Sequence, residues 1–174
     1  MKAKKLKIVL FGEPVLREKA KPVTVFHKKL HQFIDSMAVT LESHDNGAAI
    51  AANQVGTAKS ITVINYEGEY FEMINPEILE GSGESTGEEG CLSYPGFYGK
   101  VQRFDKVKVK YQDRTGLEHI IERSGNMARC FQHEIDHLNG VLFIDRMKEE
   151  FLENSDGSVK IERAKVLKIA GEKK

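Results

Sequence analysis

Length, composition and charge set the first limits on the chain. Its 174 residues, of which 40% are hydrophobic and 30% charged, are typical of one globular domain. The 26 basic and 26 acidic side chains give a formal net charge of zero, which disfavours nucleic acid as the main partner because phosphate binding requires a basic surplus. No apolar run is long enough for a membrane span or a signal-peptide core, so we expect a cytoplasmic protein whose two cysteines stay reduced.

Hydrophobic spacing and turn residues predict both helices and strands along the chain. Residues 12–17 are predicted to form a turn that leads into a short helix. Apolar residues at helical spacing predict two long helices: residues 26–43 and 125–139. β-Branched content and alternation predict four strands: residues 61–64, 70–74, 107–111 and 119–121. The second strand is expected to stop at Asn75-Pro76, and Gly140 suits the position just after the second long helix.

The order of these elements indicates the α+β class, because helices flank strands that are joined by short turns. Residues 81–90 are rich in glycine, serine and glutamate and receive no predicted element. Near the carboxy terminus, residues 154–158 are predicted to turn, and residues 159–169 fit either a strand or a short basic helix. We expect one domain over residues 1–174, with a basic tail from about residue 151.

The strongest local signal is an H-E-x-x-H motif at residues 133–137, inside the second predicted long helix. A helix places His133 and His137 on one face, about 6 Å apart, so that both imidazoles can bind one metal ion. Glu134 projects beside them, where it can act on a metal-bound water without being a ligand. The motif therefore predicts a metal-dependent hydrolase.

A catalytic metal site of this kind needs a third protein ligand, and the chain offers two cysteines. Cys130 shares the helix face of the histidines, but it is seven residues from His137, a rise of about 10.5 Å. A metal ion bridging that distance would lie almost against the backbone, so Cys130 is better interpreted as a small core residue. Cys91 follows Gly90, which allows a close backbone approach, and it is the better candidate.

A third feature is a run of small residues, 47–56, that contains an amide side chain at Gln54. No Gly-Lys-Ser/Thr sequence follows the run, so it is not a phosphate-binding loop. Its functional interpretation is a strand that lets the backbone of a substrate approach, with Gln54 as a polar anchor. Small residues also pack closely in many protein cores, so this run alone is a weak signal.

Taken together, three segments resemble the signature of the peptide deformylase family. The family motif G-x-G-x-A-A-x-Q resembles residues 47–54, which read G-A-A-I-A-A-N-Q. The motif E-G-C-x-S matches residues 89–93, and Q-H-E-x-D-H matches residues 132–137. The order and spacing are those of the family, and the resemblance covers roughly residues 8–147.

This resemblance implies a fold, a metal and a substrate. The fold would be the family's α+β arrangement, with antiparallel strands wrapped around the H-E-x-x-H helix. Cys91, His133 and His137 would bind one divalent metal ion, Fe(II) in the cell, with Zn, Ni or Co as substitutes. The enzyme would remove formate from the N-formylmethionine that starts new bacterial polypeptides.

The resemblance also implies roles for the residues around the metal. Glu134 would transfer the water's proton to the leaving amine, and the Gln54 side chain and the Leu92 N–H would stabilise the oxyanion. The substrate peptide would lie extended along residues 47–50, which include Gly47, Ala48 and Ala49. Glu89 and Arg103 resemble a family pair near the site, for which a structural salt bridge is an equal alternative.

Three positions depart from the family pattern, and they affect the expected fit of the substrate rather than the chemistry. The second glycine of the first motif is Ala49, whose methyl group would intrude where the substrate backbone passes. Asn126 and Arg129 occupy helix positions that are usually apolar in the family, where they line or flank the methionine pocket. We therefore expect altered substrate affinity or side-chain preference.

Two alternatives to an active deformylase remain open from the sequence. The H-E-x-x-H motif alone would also suit a zinc endopeptidase, although a cysteine ligand is unusual for that class. Ala49 and Arg129 would also suit a deformylase-like protein that binds peptides with weak or no turnover. For the basic tail, the family suggests a ribosome contact, whereas a solvated tail is the simpler interpretation; its cations are Lys160, Arg163, Lys165, Lys168, Lys173 and Lys174.

Overall fold

The computed structural model describes residues 2–173, which form two antiparallel sheets and four α-helices. The helices are α1 (Lys28–Glu42), α2 (Gly125–Leu138), α3 (Phe143–Arg146) and α4 (Arg163–Ala170), and short 3₁₀ turns cover Pro14–Arg17 and Ala52–Val55. The strands are β1 (Ala49–Ala51), β2 (Ile61–Tyr66), β3 (Glu69–Ser82), β4 (Ser85–Cys91), β5 (Tyr94–Arg103), β6 (Lys106–Gln112), β7 (Glu118–Ser124), β8 (Phe151–Glu153) and β9 (Lys160–Glu162). None of the helices in this described part is both long and apolar enough to span a membrane.

The two sheets are arranged around α2, as the family resemblance implies. One sheet has the strand order β1-β2-β3-β6-β7, and the other has the order β4-β5-β8-β9. The apolar face of α2 packs on the first sheet, where Met127, Phe131 and Ile135 share a buried cluster with Ile64 and Val109. Burial of such a face contributes most of a helix's stability in a protein, and here it fixes the orientation of the H-E-x-x-H motif.

Both long helices form where apolar spacing predicts them. The helix predicted over residues 26–43 is α1, and its buried face contributes Leu30, Ile34 and Met37 to a second core cluster. The helix predicted over residues 125–139 is α2, which ends at Leu138. Gly140 follows with φ +70°, and a Cβ there would lie 2.4 Å from the Arg17 carbonyl oxygen, so both its conformation and its surroundings require glycine.

The prediction that the second strand stops at Asn75-Pro76 is wrong, because β3 runs on to Ser82. Asn75 adopts a left-handed conformation, with φ 52°, and the pairing with β6 shifts register between Ile74 and Glu77. Pro76 therefore lies in a bulge, where the ladder does not need its missing N–H. The Asn75 side chain replaces the lost pairing by bonding to both the N–H and the carbonyl of Val23, at 2.8 Å each.

The polar stretch at residues 81–90 is largely strand, which the sequence analysis did not predict. Ser85–Cys91 forms β4 and pairs with β5 over six positions, from Ser85 opposite Arg103 to Cys91 opposite Tyr94. Hydrophobic alternation is weak in β4 because its residues face the cavity and the charged groups described below. This hairpin matters for function because it carries Glu89 and Cys91 to the end of α2.

The carboxy-terminal segment packs on the rest of the structure. The predicted turn at residues 154–158 joins β8 to β9, and the ambiguous region contains both a short strand and a helix. Val166 and Ala170 of α4 are buried with Leu16 and Phe143, and Arg17 Nε donates to the Gly171 carbonyl at 2.9 Å. Lys174 lies outside the described residues. The expectation of one domain stays a prediction, which this packing supports.

Candidate metal centre and active site

The structure brings Cys91, His133 and His137 together. The two histidines lie one turn apart on α2, with their ring centroids 4.9 Å apart, and Cys91 ends β4 with its Sγ 3.3 Å from His137 Nε2. One donor atom from each of the three residues lies within 4.8 Å of the others. Cys130 is outside this group and packs beside the hydrophobic cluster between α2 and the first sheet. Both cysteines are free thiols.

The donor chemistry and the ring orientations of these residues fit a divalent metal ion. A cysteine thiolate with two imidazoles is a known catalytic zinc set. His133 Nδ1 lies 2.9 Å from Glu89 Oε2, which leaves its Nε2 for a metal. His137 presents Nε2 to Cys91, and the Asn53 amide holds the His137 carbonyl at 2.5 Å. Glu89 therefore orients the His133 ring without help from a metal, whereas the buried Nδ1 of His137 has no hydrogen-bond partner among the described residues.

Glu89 and Arg103 form a buried ion pair directly behind His133. Arg103 donates from Nε and Nη2 to the two oxygens of Glu89, at 2.8 Å each. Burial alone would raise the pKa of Glu89, but the hydrogen bonds from Arg103 and His133 outweigh it and hold that pKa well below its ordinary value. The remaining Nη1 of Arg103 donates to Asp136. All of its donor nitrogens are thus used within the protein, and among the described residues it does not line the cavity.

Glu134 lies between the histidines on α2 and is 3% exposed. Its Oε2 is 3.3 Å from the hydroxyl of Thr62, which is also 3.0 Å from the Ile50 carbonyl. Burial raises the pKa of Glu134 to about 7, and the positive charge of His133 partly opposes this rise. The carboxylate therefore has little access to solvent, yet it belongs to a residue that lines the same cavity as Cys91 and His133.

Gln54 is held in the 3₁₀ turn that follows β1 and faces the sulfur of Cys91. Its Oε1 accepts from the Ala51 N–H at 2.9 Å, which leaves the amide nitrogen pointing to Cys91 Sγ and Ser93 Oγ, both at 3.3 Å. Leu92 follows Cys91 directly and also borders the cavity. Two potential N–H donors, one from a side chain and one from the backbone, are therefore close to the candidate metal centre.

A cavity of about 760 Å³ opens beside these groups. It lies between β1 and β4, each an edge strand of its own sheet. All predicted site residues except Arg103 and His137 line it: Gly47, Ala48, Ala49, Gln54, Glu89, Cys91, Leu92, Asn126, Arg129, His133 and Glu134. A Cβ at Gly47 would lie 2.8 Å from Leu41 Cδ1, so a larger residue there would have to displace the end of that side chain.

The side chains at the three positions that depart from the family pattern make contacts within the protein. Ala49 is 9% exposed, and it belongs to the cluster that joins α2 to the first sheet. Asn126 Nδ2 donates to Glu67 Oε1 at 3.1 Å. Arg129 donates to the carbonyl groups of Ser85 and Val101, at 2.7 Å each, and to Glu89 at 3.0 Å. The Arg129 guanidinium therefore ties α2 to β4 and β5.

Several residues of the site were not singled out by sequence reasoning. Thr62 contacts Glu134, Asn53 holds His137, and Asp136 binds Arg103. Thr62 lies in a strand of β-branched residues, where nothing distinguishes it from a core position. Asn53 and Asp136 lie within the quoted motifs, so their motif membership was the only available signal.

Known proteins that are similar to this chain belong to one family. The family model described as polypeptide deformylase matches residues 5–152. The chain belongs to the polypeptide deformylase family. A peptide deformylase from Heliobacterium modesticaldum is 48% identical over 143 residues, covering 82% of this chain and 94% of the relative. One from Halothermothrix orenii is 52% identical over 144 residues, covering 82% of this chain and 93% of the relative.

Solved structures of the family have the same fold. The crystal structure of peptide deformylase from Thermotoga maritima matches with a TM-score of 0.81 and 44% identity, over 83% of this chain and 99% of that one. A peptide deformylase from Synechococcus elongatus in complex with actinonin matches with a TM-score of 0.80 and 41% identity, over 86% and 83% of the two chains. The predicted family, α+β fold class and enzyme class are therefore confirmed.

Proposed function

We propose that this chain removes the formyl group from the N-formylmethionine of newly made polypeptides and releases formate. One observation carries the proposal: the donor atoms of Cys91, His133 and His137 lie within 4.8 Å of one another, and the carboxylate of Glu134 is buried beside them at the wall of a deep cavity. Family membership selects deformylation over cleavage of internal peptide bonds, which the H-E-x-x-H motif would also allow.

In this proposal Cys91, His133 and His137 hold one divalent ion, Fe(II) in the cell, with Zn, Ni or Co as substitutes. Such an ion lowers the pKa of a bound water and polarises the carbonyl that is attacked. The mixed sulfur and nitrogen donors suit all four of these metals.

Glu134 is the proton-transferring residue in the proposed reaction. It accepts a proton from the attacking water and delivers it to the amine that leaves when the formyl C–N bond breaks. Thr62 supports this function because its hydroxyl lies 3.3 Å from Glu134 Oε2 and limits the rotation of the carboxylate. Low exposure also keeps bulk water from competing for the proton.

Negative charge develops on the formyl oxygen during the attack, and two donors of the chain can stabilise it. The Gln54 amide nitrogen points towards Cys91, 3.3 Å from its Sγ. The Leu92 N–H belongs to the next residue along the chain. Donors that are already oriented stabilise such charge without reorganising during the reaction.

The substrate peptide is proposed to bind as an extra strand between β1 and β4. Each of these strands has one sheet neighbour in the described structure, and the cavity lies between them. An extended peptide could pair with the backbone at Gly47 and Ala48 on one side and near Gly90 on the other. Asn126 and Arg129 line the same cavity and would border the methionine side chain.

The proposed function is tested by measuring formate release from a formyl-Met-Ala dipeptide with Fe(II)- or Ni(II)-loaded protein. Turnover of the formylated peptide but not of its acetylated counterpart is expected. Tight binding of the formylated peptide without turnover would instead favour the peptide-binding alternative. Cleavage of an internal bond in a blocked peptide would favour the endopeptidase.

We also propose that the enzyme works in the cytoplasm and contacts the ribosome through its basic tail. Lys165 and Lys168 are exposed on α4, whereas Val166 on the same helix is buried in the core. A truncation after Met147 would also remove the buried contact of Val166, so it is a poor test. A better test replaces Lys165 and Lys168 with glutamate, which reverses their charge. Unchanged co-sedimentation of this variant with ribosomes would contradict the contact.

A further inference from the structure

A continuous series of charged groups leads from the predicted ligand His133 to the protein surface. It starts at Glu89, whose Oε2 accepts from His133 Nδ1 at 2.9 Å and from Arg103 Nη2 at 2.8 Å. The other oxygen of Glu89 accepts from Arg103 Nε at 2.8 Å and Arg129 Nη1 at 3.0 Å. The position of Glu89, and through it the rotation of the His133 ring, therefore depends on where the Arg103 guanidinium lies.

Arg103 is itself shared between two carboxylates, since its Nη1 donates to Asp136 Oδ2. Asp136 accepts two further bonds from Arg146, from Nε to Oδ2 at 2.5 Å and from Nη2 to Oδ1 at 2.7 Å. The Asp136 side chain is only 10% exposed, whereas that of Arg146 is 48% exposed. The series thus ends at the surface, on the last residue of α3.

The same short helix contacts His133 in a second way. The ring of Phe143, at the start of α3, stacks on the His133 ring with 6.1 Å between centroids and 22° between planes. The ligand is therefore held on one side by an aromatic ring of α3 and on another by Glu89, which Arg146 reaches through the ionic series. Both contacts restrict the imidazole before a metal binds.

We propose that Arg146 is a positioning residue for the metal ligand His133. It acts through Asp136, Arg103 and Glu89, and the inference rests on the metal site proposed above. Arg146 neutralises the charge of Asp136. The two hydrogen bonds from Arg103 Nε and Nη2 therefore stay on Glu89.

The physical reason is competition for one guanidinium. Without Arg146, the nearly buried Asp136 has Arg103 as its closest cation, and the attraction draws Arg103 away from Glu89. Glu89 then holds the Nδ1 proton of His133 less rigidly, so the ring loses the orientation that favours Nε2 ligation. Partners of this kind typically change metal affinity by about 10- to 100-fold when they are removed, and a more distant, exposed partner such as Arg146 should change it less.

The test measures Co(II) and Zn(II) dissociation constants of the full chain by competition with a chelator, together with the Co(II) absorption spectrum. Arg146→Met should weaken metal binding about 3-fold, with altered ligand-field bands, whereas Asp136→Asn removes the competing charge and should leave metal binding nearly unchanged. Lys148→Met is the matched control, because Lys148 is an exposed cation two residues away whose amine donates to Gln102. It should leave both the affinity and the spectrum as in the unchanged protein.

A double-mutant cycle decides whether Arg146 acts through Asp136. The double variant should bind metal as tightly as Asp136→Asn alone, because without the Asp136 charge Arg103 stays on Glu89 whether or not Arg146 is present. Additive effects, or an Arg146→Met effect equal to that of Lys148→Met, would overturn the inference. Lower thermal stability with unchanged metal affinity would also overturn it, since a purely structural ion pair gives that result. If the unchanged protein binds no Co(II) with a thiolate charge-transfer band, the proposed metal site itself fails.

Discussion

Replacing Glu134 with glutamine separates proton transfer from metal binding. Glutamine has nearly the same shape as glutamate, and its carbonyl oxygen can keep the contact with the Thr62 hydroxyl, which is 3.3 Å from Glu134 Oε2. The amide cannot accept the proton of the attacking water. We therefore expect the Glu134→Gln protein to fold and to bind one metal ion, but to lose most of its formate release.

The size of the loss follows from the burial of the carboxylate. Glu134 is 3% exposed, so bulk water cannot replace it as the base. General acid–base catalysis contributes about 10²- to 10⁴-fold to a rate. At 1.36 kcal/mol for each tenfold change, this corresponds to about 3–5 kcal/mol of transition-state stabilisation. The loss should appear in kcat, because the residue acts in the transition state rather than in substrate binding.

The assay compares the two proteins at matched metal content, determined for each preparation before formate release is measured. A thermal unfolding curve of the metal-free protein serves as the control for folding. Full activity of Glu134→Gln would refute the assignment of Glu134 as the proton-transferring group. Loss of the metal together with activity would show instead that Glu134 helps to hold the ion.

Three further predictions concern the residues around the metal. Cys91→Ser should abolish the thiolate-to-Co(II) absorption band and lower metal content, whereas Cys130→Ser should keep both; the opposite result would exchange their assignments. Gln54→Ala should lower kcat about 10²- to 10³-fold with KM little changed, and a change confined to KM would argue against oxyanion stabilisation. Ala49→Gly should lower the free energy of unfolding in urea by about 1 kcal/mol and leave KM unchanged. The reason is that residue 49 is 9% exposed and its methyl group packs in the core. A large fall in KM would show that the methyl group obstructs the substrate.

Local pattern in the sequence was sufficient for the two long helices and for two of the three candidate metal ligands. The apolar spacing of α1 and α2 predicts them to within about two residues at each end. The i, i+4 spacing of His133 and His137 places both on one face of any helix, whatever surrounds it. These features depend on neighbours along the chain, so the sequence contains them directly.

The third candidate ligand was harder to identify because it lies on a different element. Excluding Cys130 by distance and comparing motifs both indicated Cys91. The strand that carries it, β4, lies in a polar stretch that showed no strand signal. Pairing with β5 makes it a strand, and that pairing joins residues that no local rule connects.

The bulge at Asn75 and the burial of the Ala49 methyl group both result from contacts between distant segments of the chain. The chain continues through Pro76 because β6 and Val23 supply partners around the bulge, and the Ala49 methyl is buried because α2 covers it. The sequence alone predicted a strand end at Asn75 and an obstruction to the substrate backbone at Ala49.

The sequence by itself determined the fold class, the family, the two histidines and the adjacent Glu134, because periodicity and motif spacing are properties of the chain. The tertiary structure alone decided how the His133 ring is oriented. Glu89 reaches His133 only because the β4–β5 hairpin folds against α2, where Arg103 and Asp136 hold it. Ionic contacts between distant segments depend on packing in three dimensions, which no spacing of residues specifies.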